Sequence, residues 1–286
     1  MKTHAPDKPG EHTLQCMEIW GGSGAVERRL NMPGLDAWVY SKPFEGASHG
    51  GDVHYVSLCG GGLLTRIIVA DVSGHGAAVA EFATALRTLM RKYINSKSQT
   101  GLVRSLNRRF AELAQARRFA TAVVGTYMAA RDRLTICNAG HPRPLFFRAA
   151  TREWSILTPA AGEPVVGANL PLGLDDETPY DLFTIPLGAG DVVLLYTDAL
   201  TEAGADAGAM LGEAGLLDLA RSLDPADPRR LGPDLLAAIA DRLGGHPLDD
   251  DDVTLLALHH NAGPPRHASL AEKLDVYAKV FHLKPV

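Results

Sequence analysis

Four aspartates stand where apolar runs begin or end. Asp52 closes His49-Gly50-Gly51-Asp52 ahead of VHYVSLC, Asp71 ends RIIVAD before Val72-Ser73-Gly74-His75-Gly76, Asp198 ends DVVLLYTD, and Asp249-Asp250-Asp251-Asp252 leads directly into VTLLAL. Apolar strands are buried and their ends are fixed, so a carboxylate placed there is rigidly aimed, as a metal site requires. Carboxylates gathered at close range cannot all stay ionised without a cation. Oxygen-only ligands select hard divalent ions, Mg²⁺ or Mn²⁺, over zinc or copper. The glycines beside Asp52 and Asp71 admit close approach of backbone and substrate. Two such ions roughly 3.5–4 Å apart form a clamp for in-line attack on phosphorus, with one bound water activated as hydroxide. Taken singly, each aspartate has a plainer role as a turn or helix-cap residue, and an acidic run is most often a solvated loop. The recurrence of one apolar-strand context at all four positions is what favours chemistry.

Other polar residues carry weaker signals. His75, four residues after Asp71, can act as a general acid that protonates a leaving oxygen or simply pack in its turn. His54 lies on the strand just after Asp52 and points into the site or away from it. His141 reads as part of a buried turn in which Asn138 bridges backbone groups. Arg66 and Arg143 have the chemistry to bind phosphate bidentately, but surface ion pairing is the plainer role for each. His259-His260 reads as a surface feature. Gly21-Gly22-Ser23-Gly24 lacks the strand-to-helix context and the lysine of a phosphate loop, so it reads as a flexible turn.

The elements that must hold these residues follow from periodicity. Strand-like runs are expected at residues 35–41, 53–59, 64–70, 122–130, 133–139, 144–148, 153–157, 180–185, 191–197 and 253–259. Helices are expected at 77–94, 102–117, 213–222, 233–243 and 268–283, with Pro233 starting the fourth. There is no βαβαβ alternation, so a doubly wound parallel sheet is disfavoured. The pattern predicts an α+β fold: two stacked, mainly antiparallel sheets with helices packed outside. Residues 1–34 read as an N-terminal extension, 35–260 as one domain without an internal boundary, and 261–286 as a linker and terminal helix.

Composition excludes several classes. The 286-residue chain is 46% apolar and 21% charged, with a net charge of −5, an ordinary globular mixture. No lysine or arginine stripe offers phosphate neutralisation, which argues against nucleic-acid binding. No apolar run reaches the roughly 18 residues of a membrane span, and the start lacks the apolar segment of a secretory signal. Cys16, Cys59 and Cys137 are odd in number and scattered, which fits a reducing cytoplasm rather than a disulfide framework.

Five motifs in order resemble the metal-dependent protein phosphatases, specifically the SpoIIE-like branch of the PPM superfamily. They are Gly50-Gly51-Asp52, Asp71-Val72-Ser73-Gly74-His75-Gly76, Asn138-Ala139-Gly140-His141-Pro142, Tyr196-Thr197-Asp198-Ala199-Leu200-Thr201-Glu202-Ala203 and Asp251-Asp252-Val253-Thr254. The resemblance implies a four-layer α/β-β/α sandwich with a dimetal centre of Mn²⁺ or Mg²⁺ at one end of the two sheets; whether a third ion joins is left open. It implies that Asp71 bridges both ions, that Asp52 and the Val72 carbonyl serve one of them, and that Asp198 and Asp251 hold the other. Asp52 and Asp71, with His75 as acid, then form the catalytic set. The implied reaction is hydrolysis of phosphoserine or phosphothreonine on a protein, in bacteria a phosphorylated antagonist of an anti-sigma factor.

Two departures stand out. The family often carries a second acid three residues after its first aspartate, where Tyr55 stands here, and glycine where Ala199 stands. Neither removes an expected ligand. In the family the helix after the Asp71 motif acts as a switch; here control is expected from a separate protein, a homodimer contact or the terminal helix. Rival readings are a catalytically silent phosphoprotein-binding scaffold and a hydrolase of small phosphate esters.

Overall fold

Apolar residues fill the short strand-like runs and recur at three- and four-residue steps between them. Such a chain must form sheets with buried faces and helices that cover them. The computed structural model describes residues 10–263, apart from residues 60–61, 75–76, 94–95, 97, 115–117, 160–166, 205–209, 226, 246–247 and 249–250. In chain order the strands are β1 (Glu11–Thr13), β2 (Ile19–Gly22), β3 (Val26–Met32), β4 (Leu35–Lys42), β5 (Asp52–Cys59), β6 (Leu64–Val72), β7 (Ala120–Met128), β8 (Arg133–Ala139), β9 (Leu145–Arg148), β10 (Glu153–Ile156), β11 (Phe183–Pro186), β12 (Val192–Tyr196) and β13 (Val253–His260). The helices are α1 (Ala77–Tyr93), α2 (Gln99–Ala114), α3 (Ala199–Glu202), α4 (Gly212–Ser222) and α5 (Pro228–Arg242).

The strands form a seven-stranded sheet, β1-β3-β4-β13-β12-β9-β10, and a six-stranded sheet, β11-β8-β7-β6-β5-β2. Every pairing is antiparallel except β1 with β3. Three cores result. Between the sheets, Ile67, Val69, Val123 and Ile136 meet Val39, Leu195, Leu256 and Leu258. Outside the six-stranded sheet, Val79, Leu86 and Met90 of α1 and Leu102, Leu106 and Phe110 of α2 cover Ile68, Ala70 and Val124. Outside the seven-stranded sheet, Leu216 of α4 and Leu231, Leu235 and Ile239 of α5 cover Leu194, Leu255 and Trp38. This is the expected sandwich of two sheets between helical layers.

Several expectations are corrected. The segment read as an N-terminal extension supplies strands to both sheets: β1 and β3 join the first, and β2 pairs with β5 in the second. Its strands hid because β3 carries Glu27, Arg28 and Arg29 in succession, which breaks the alternation that marks a half-buried strand. Gly21-Gly22, read as a flexible turn, ends β2; Gly21 sits at φ +133, and a Cβ there would collide with the His54 carbonyl oxygen. Helix α5 starts at Pro228, capped by Asp227, whose side chain accepts from the Arg229 amide at 3.0 Å, so Pro233 lies inside the helix. Gly232 lets α5 lie against the face of Trp38.

Arg66 is not a surface ion-pairing residue. It is 6% exposed and donates to the Ser96 carbonyl. His260 is also buried, bonded through Nε2 to Tyr127 Oη (3.1 Å) and Asp132 Oδ1 (3.0 Å), and so ties the sheets at the end remote from Asp71. The expected helix at 268–283 lies outside the described residues. Cys16, Cys59 and Cys137 form no disulfide with one another.

Gly21 gives a test of the β2–β5 contact. An L-residue in the left-handed region costs roughly 1–2 kcal/mol, and Gly21→Ala adds a collision with backbone that cannot rotate away. Gly46, at φ +69, has open space around its Cβ position. Urea unfolding should show Gly21→Ala losing clearly more stability than Gly46→Ala; equal losses would mean that β2 is not held tightly on β5.

Candidate active site

The site follows from where the alternation of two strands ends. On β5 and β6 the residues facing the other sheet include Val56, Ile67 and Val69. Continuing that face to the last rung places Asp52 directly opposite Asp71, with Thr121 of β7 next to Asp71. Side chains opposed in this way have Cβ atoms about 4.5–5.5 Å apart, and like charges there repel. The inter-sheet core therefore stops at a pair of carboxyl groups.

The seven-stranded sheet faces this pair with polar groups. Thr197 follows β12, and its hydroxyl donates to Asp52 Oδ2 at 2.8 Å while accepting from the Thr254 amide at 2.9 Å. Asp252 precedes β13. Its two oxygens accept from the Phe44 amide (2.7 Å) and the Gly51 amide (2.6 Å), so this carboxylate is spent on holding the Gly50-Gly51 turn. A Cβ at Gly50 would collide with that carboxylate, which explains the glycine. Asp251 accepts from the Asp252 amide at 2.7 Å and remains partly open to solvent. The Val72 carbonyl lies beside Gly51, where an added Cβ would stand 3.0 Å from it.

Electrostatics brings the expected acids together. Burial first, then the negative charges of Asp198, Asp251, Asp252 and Glu202, pushes the Asp71 carboxyl up to about 8. Burial, and after it Asp71, raises Asp52 well above the usual carboxylate range, against hydrogen bonds from Thr254 and Thr197. Asp198 is raised mainly by burial, and Glu202 by burial and Asp198. Asp198 stands at the N-cap of α3, where the backbone of Asp198 and Ala199 offsets part of the effect of burial on its carboxyl. Among the described residues no three acidic, histidine or cysteine side chains form a ready metal cage. The donor chemistry nonetheless fits hard cations: every group is an oxygen acid, the charges share one end of the sandwich, and each resolved shift disfavours the bare anion.

Of the predicted residues, Asp52, Asp71, Val72, Asp198 and Asp251 meet here. His75 lies outside the described residues. His54 is buried with its ring 5.6 Å from that of Trp20, and burial holds it down to about 4. Arg143 pairs with Glu213 at 2.8 Å, away from the carboxylates. Asp252, Thr197, Thr254 and Glu202 were not singled out by type and spacing, although each belongs to a motif already quoted. Arg118 was missed altogether: its guanidinium donates to the Ser73 carbonyl at 2.8 Å and lies against Gly74, which has no side chain to obstruct it.

Comparison with known proteins identifies the family and the fold. The family model described as stage II sporulation protein E (SpoIIE) matches residues 62–261. The chain is 25% identical over 195 residues to the phosphoserine phosphatase RsbP of Bacillus subtilis (strain 168), covering 66% of this chain and 44% of that protein. It is therefore shorter than RsbP and spans less than half of it. Among solved structures, the RsbU and RsbW domains from Mycobacterium tuberculosis are 27% identical with a TM-score of 0.66, over 91% of this chain and 70% of that one. RsbX in complex with magnesium shares the fold at 17% identity and a TM-score of 0.57, over 82% and 99% of the respective chains.

The raised carboxyl of Asp71 makes stability depend on pH. Unfolded, it titrates at 3.8; folded, it keeps its proton up to about 8. Between those values the folded chain binds more protons than the unfolded one, so stability falls as pH rises. In metal-free protein, Asp71→Asn should flatten the decline between about pH 4 and pH 8 seen in urea midpoints. An unchanged slope in the variant would remove Asp71 as its source.

Proposed function

The chain belongs to the SpoIIE family, and on that premise we propose that it is a cytoplasmic, Mn²⁺- or Mg²⁺-dependent phosphatase acting on phosphoserine or phosphothreonine of a protein in bacterial partner-switching signalling. One observation carries the reading. Acids from two further strand ends gather around the opposed pair Asp52 and Asp71, at the end of a fold shared with the RsbU domain and with RsbX. The phosphoserine activity of RsbP and the magnesium of RsbX support the choice of reaction and ion. The substrate class assigned on this reading is a phosphorylated antagonist of an anti-sigma factor.

Asp71 would bridge two ions, with Asp52 and the Val72 carbonyl on one and Asp198 and Asp251 on the other. Bound there, the ions would neutralise the gathered charge and activate water for attack at phosphorus. The chain's own groups do the positioning. Thr197 and Thr254 orient the Asp52 carboxyl by hydrogen bonds. Asp252 fixes the Gly50-Gly51 turn and leaves the neighbouring Asp251 facing the site. Arg118 holds the backbone of Ser73, two residues beyond Asp71. His75 is assigned the proton delivered to the leaving serine oxygen.

Hydrolysis of a phosphoserine protein by the purified chain, followed as phosphate release, tests the reading. Turnover should require Mn²⁺ or Mg²⁺, vanish in Asp71→Asn and exceed turnover of free nucleotides. Metal-independent release, or full activity in the variant, would overturn it.

A further inference from the structure

His141 is a buried histidine that the proposed chemistry does not use. Its backbone is pinned from both sides by one side chain: Asn138 Oδ1 accepts from its amide and Asn138 Nδ2 donates to its carbonyl, each at 2.8 Å. Gly140, at φ +66 and pressed on Pro171, sends the chain into this turn. The ring is 5% exposed. Nδ1 lies 2.8 Å from Thr121 Oγ1, and Thr121 is the register partner of Asp71. On the other sheet, the Tyr196 backbone lies close enough to favour the charged ring, although Nε2 completes no hydrogen bond of normal geometry. Tyr196 directly precedes Thr197 and Asp198. Burial outweighs that contact and holds the imidazole down to about 3, so it is neutral at physiological pH. A neutral imidazole offers one donor and one acceptor, enough to serve one partner on each sheet.

The two sides of the site are held differently. Asp52 is tied to the opposite sheet by Thr197, and its turn by Asp252. Asp71 accepts no hydrogen bond among the described residues, so its place depends on the strands around it. The His141 ring is joined to the strand beside Asp71 through Thr121, and its other edge faces the Tyr196 backbone in the segment leading to Asp198. We infer that His141 is a positioning residue, a wedge between the sheets that sets the separation of Asp71 from Asp198 and through it the affinity for divalent ions. The inference rests on the metal-centre reading above.

Calorimetric titration of Mn²⁺ into the full chain tests it, alongside thermal melting without metal. His141→Phe keeps the ring and removes both nitrogens. It should weaken Mn²⁺ binding roughly 10- to 100-fold, the usual effect of losing a group that orients ligands, while the metal-free melting temperature moves little. Thr121→Val should weaken binding in the same direction. The double variant should be no worse than His141→Phe, because both act through one contact. Mn²⁺ affinity within twofold of the wild type in His141→Phe would overturn the inference and leave the metal centre standing. Should His141→Phe fail to fold, Thr121→Val decides alone: weaker binding supports the role, and unchanged binding refutes it. A wild-type chain that binds no Mn²⁺ would defeat both readings.

Discussion

Two carboxyl groups face each other across adjacent strands at the end of a dry core, and the rest of the site is arranged around that conflict. In register, Asp52 and Asp71 cannot avoid one another. Bulk water screens them little on the Asp52 side, which is 2% exposed. A pair of this kind opposes folding unless it holds a proton or faces a cation. Ordinary sequences end a buried rung with a small or apolar residue. Placing two acids there instead is a local violation of packing rules, and such violations mark functional sites.

The violation is contained by specific contacts. Thr197 and Thr254 give Asp52 hydrogen bonds that favour its anion, while Asp252 uses both oxygens on backbone amides and adds no free acceptor to the cluster. These contacts cross from one sheet to the other. The gathered acids thus exist as a group only when the sandwich is closed, since Asp52 and Asp71 belong to one sheet and Asp198 and Asp251 to the other. Packing of Val69 and Val123 against Leu195 and Leu256 is therefore as much a condition of the site as the acids themselves.

Much of this was legible in the chain because the governing signal is local. The strands from Leu35 onward include short apolar runs bounded by turn residues, and an aspartate at the end of such a run can be located without knowing its neighbours in space. What escaped was set by long-range contacts. Glu27, Arg28 and Arg29 hide β3, which becomes a strand by pairing with β4. The split between Asp251 and Asp252 depends on amides roughly 200 residues away in the chain, at Phe44 and Gly51. His260 looked like surface until Tyr127 and Asp132 closed over it. Pro233 looked like a helix start because a proline inside a helix is rare, and the contact of Gly232 with Trp38 that accompanies it is invisible in one dimension.

The same distinction bears on how the helical layer meets the chemistry. Ser73 lies two residues beyond Asp71 and is held by the segment that follows α2. Its amide donates to the Phe119 carbonyl at 2.9 Å, its hydroxyl accepts from the Phe119 amide at 3.2 Å, and its carbonyl accepts from Arg118 at 2.8 Å. Residues 118 and 119 join α2 to β7, whose Thr121 stands beside Asp71. Asp71 thus sits between Ser73, which residues 118 and 119 hold, and Thr121 of β7. Packed interiors transmit displacement rather than absorb it. A movement of α2 relative to its sheet would reach Ser73 before it reached any acid, and Asp71 next, because no side-chain hydrogen bond among the described residues ties the Asp71 carboxyl in place.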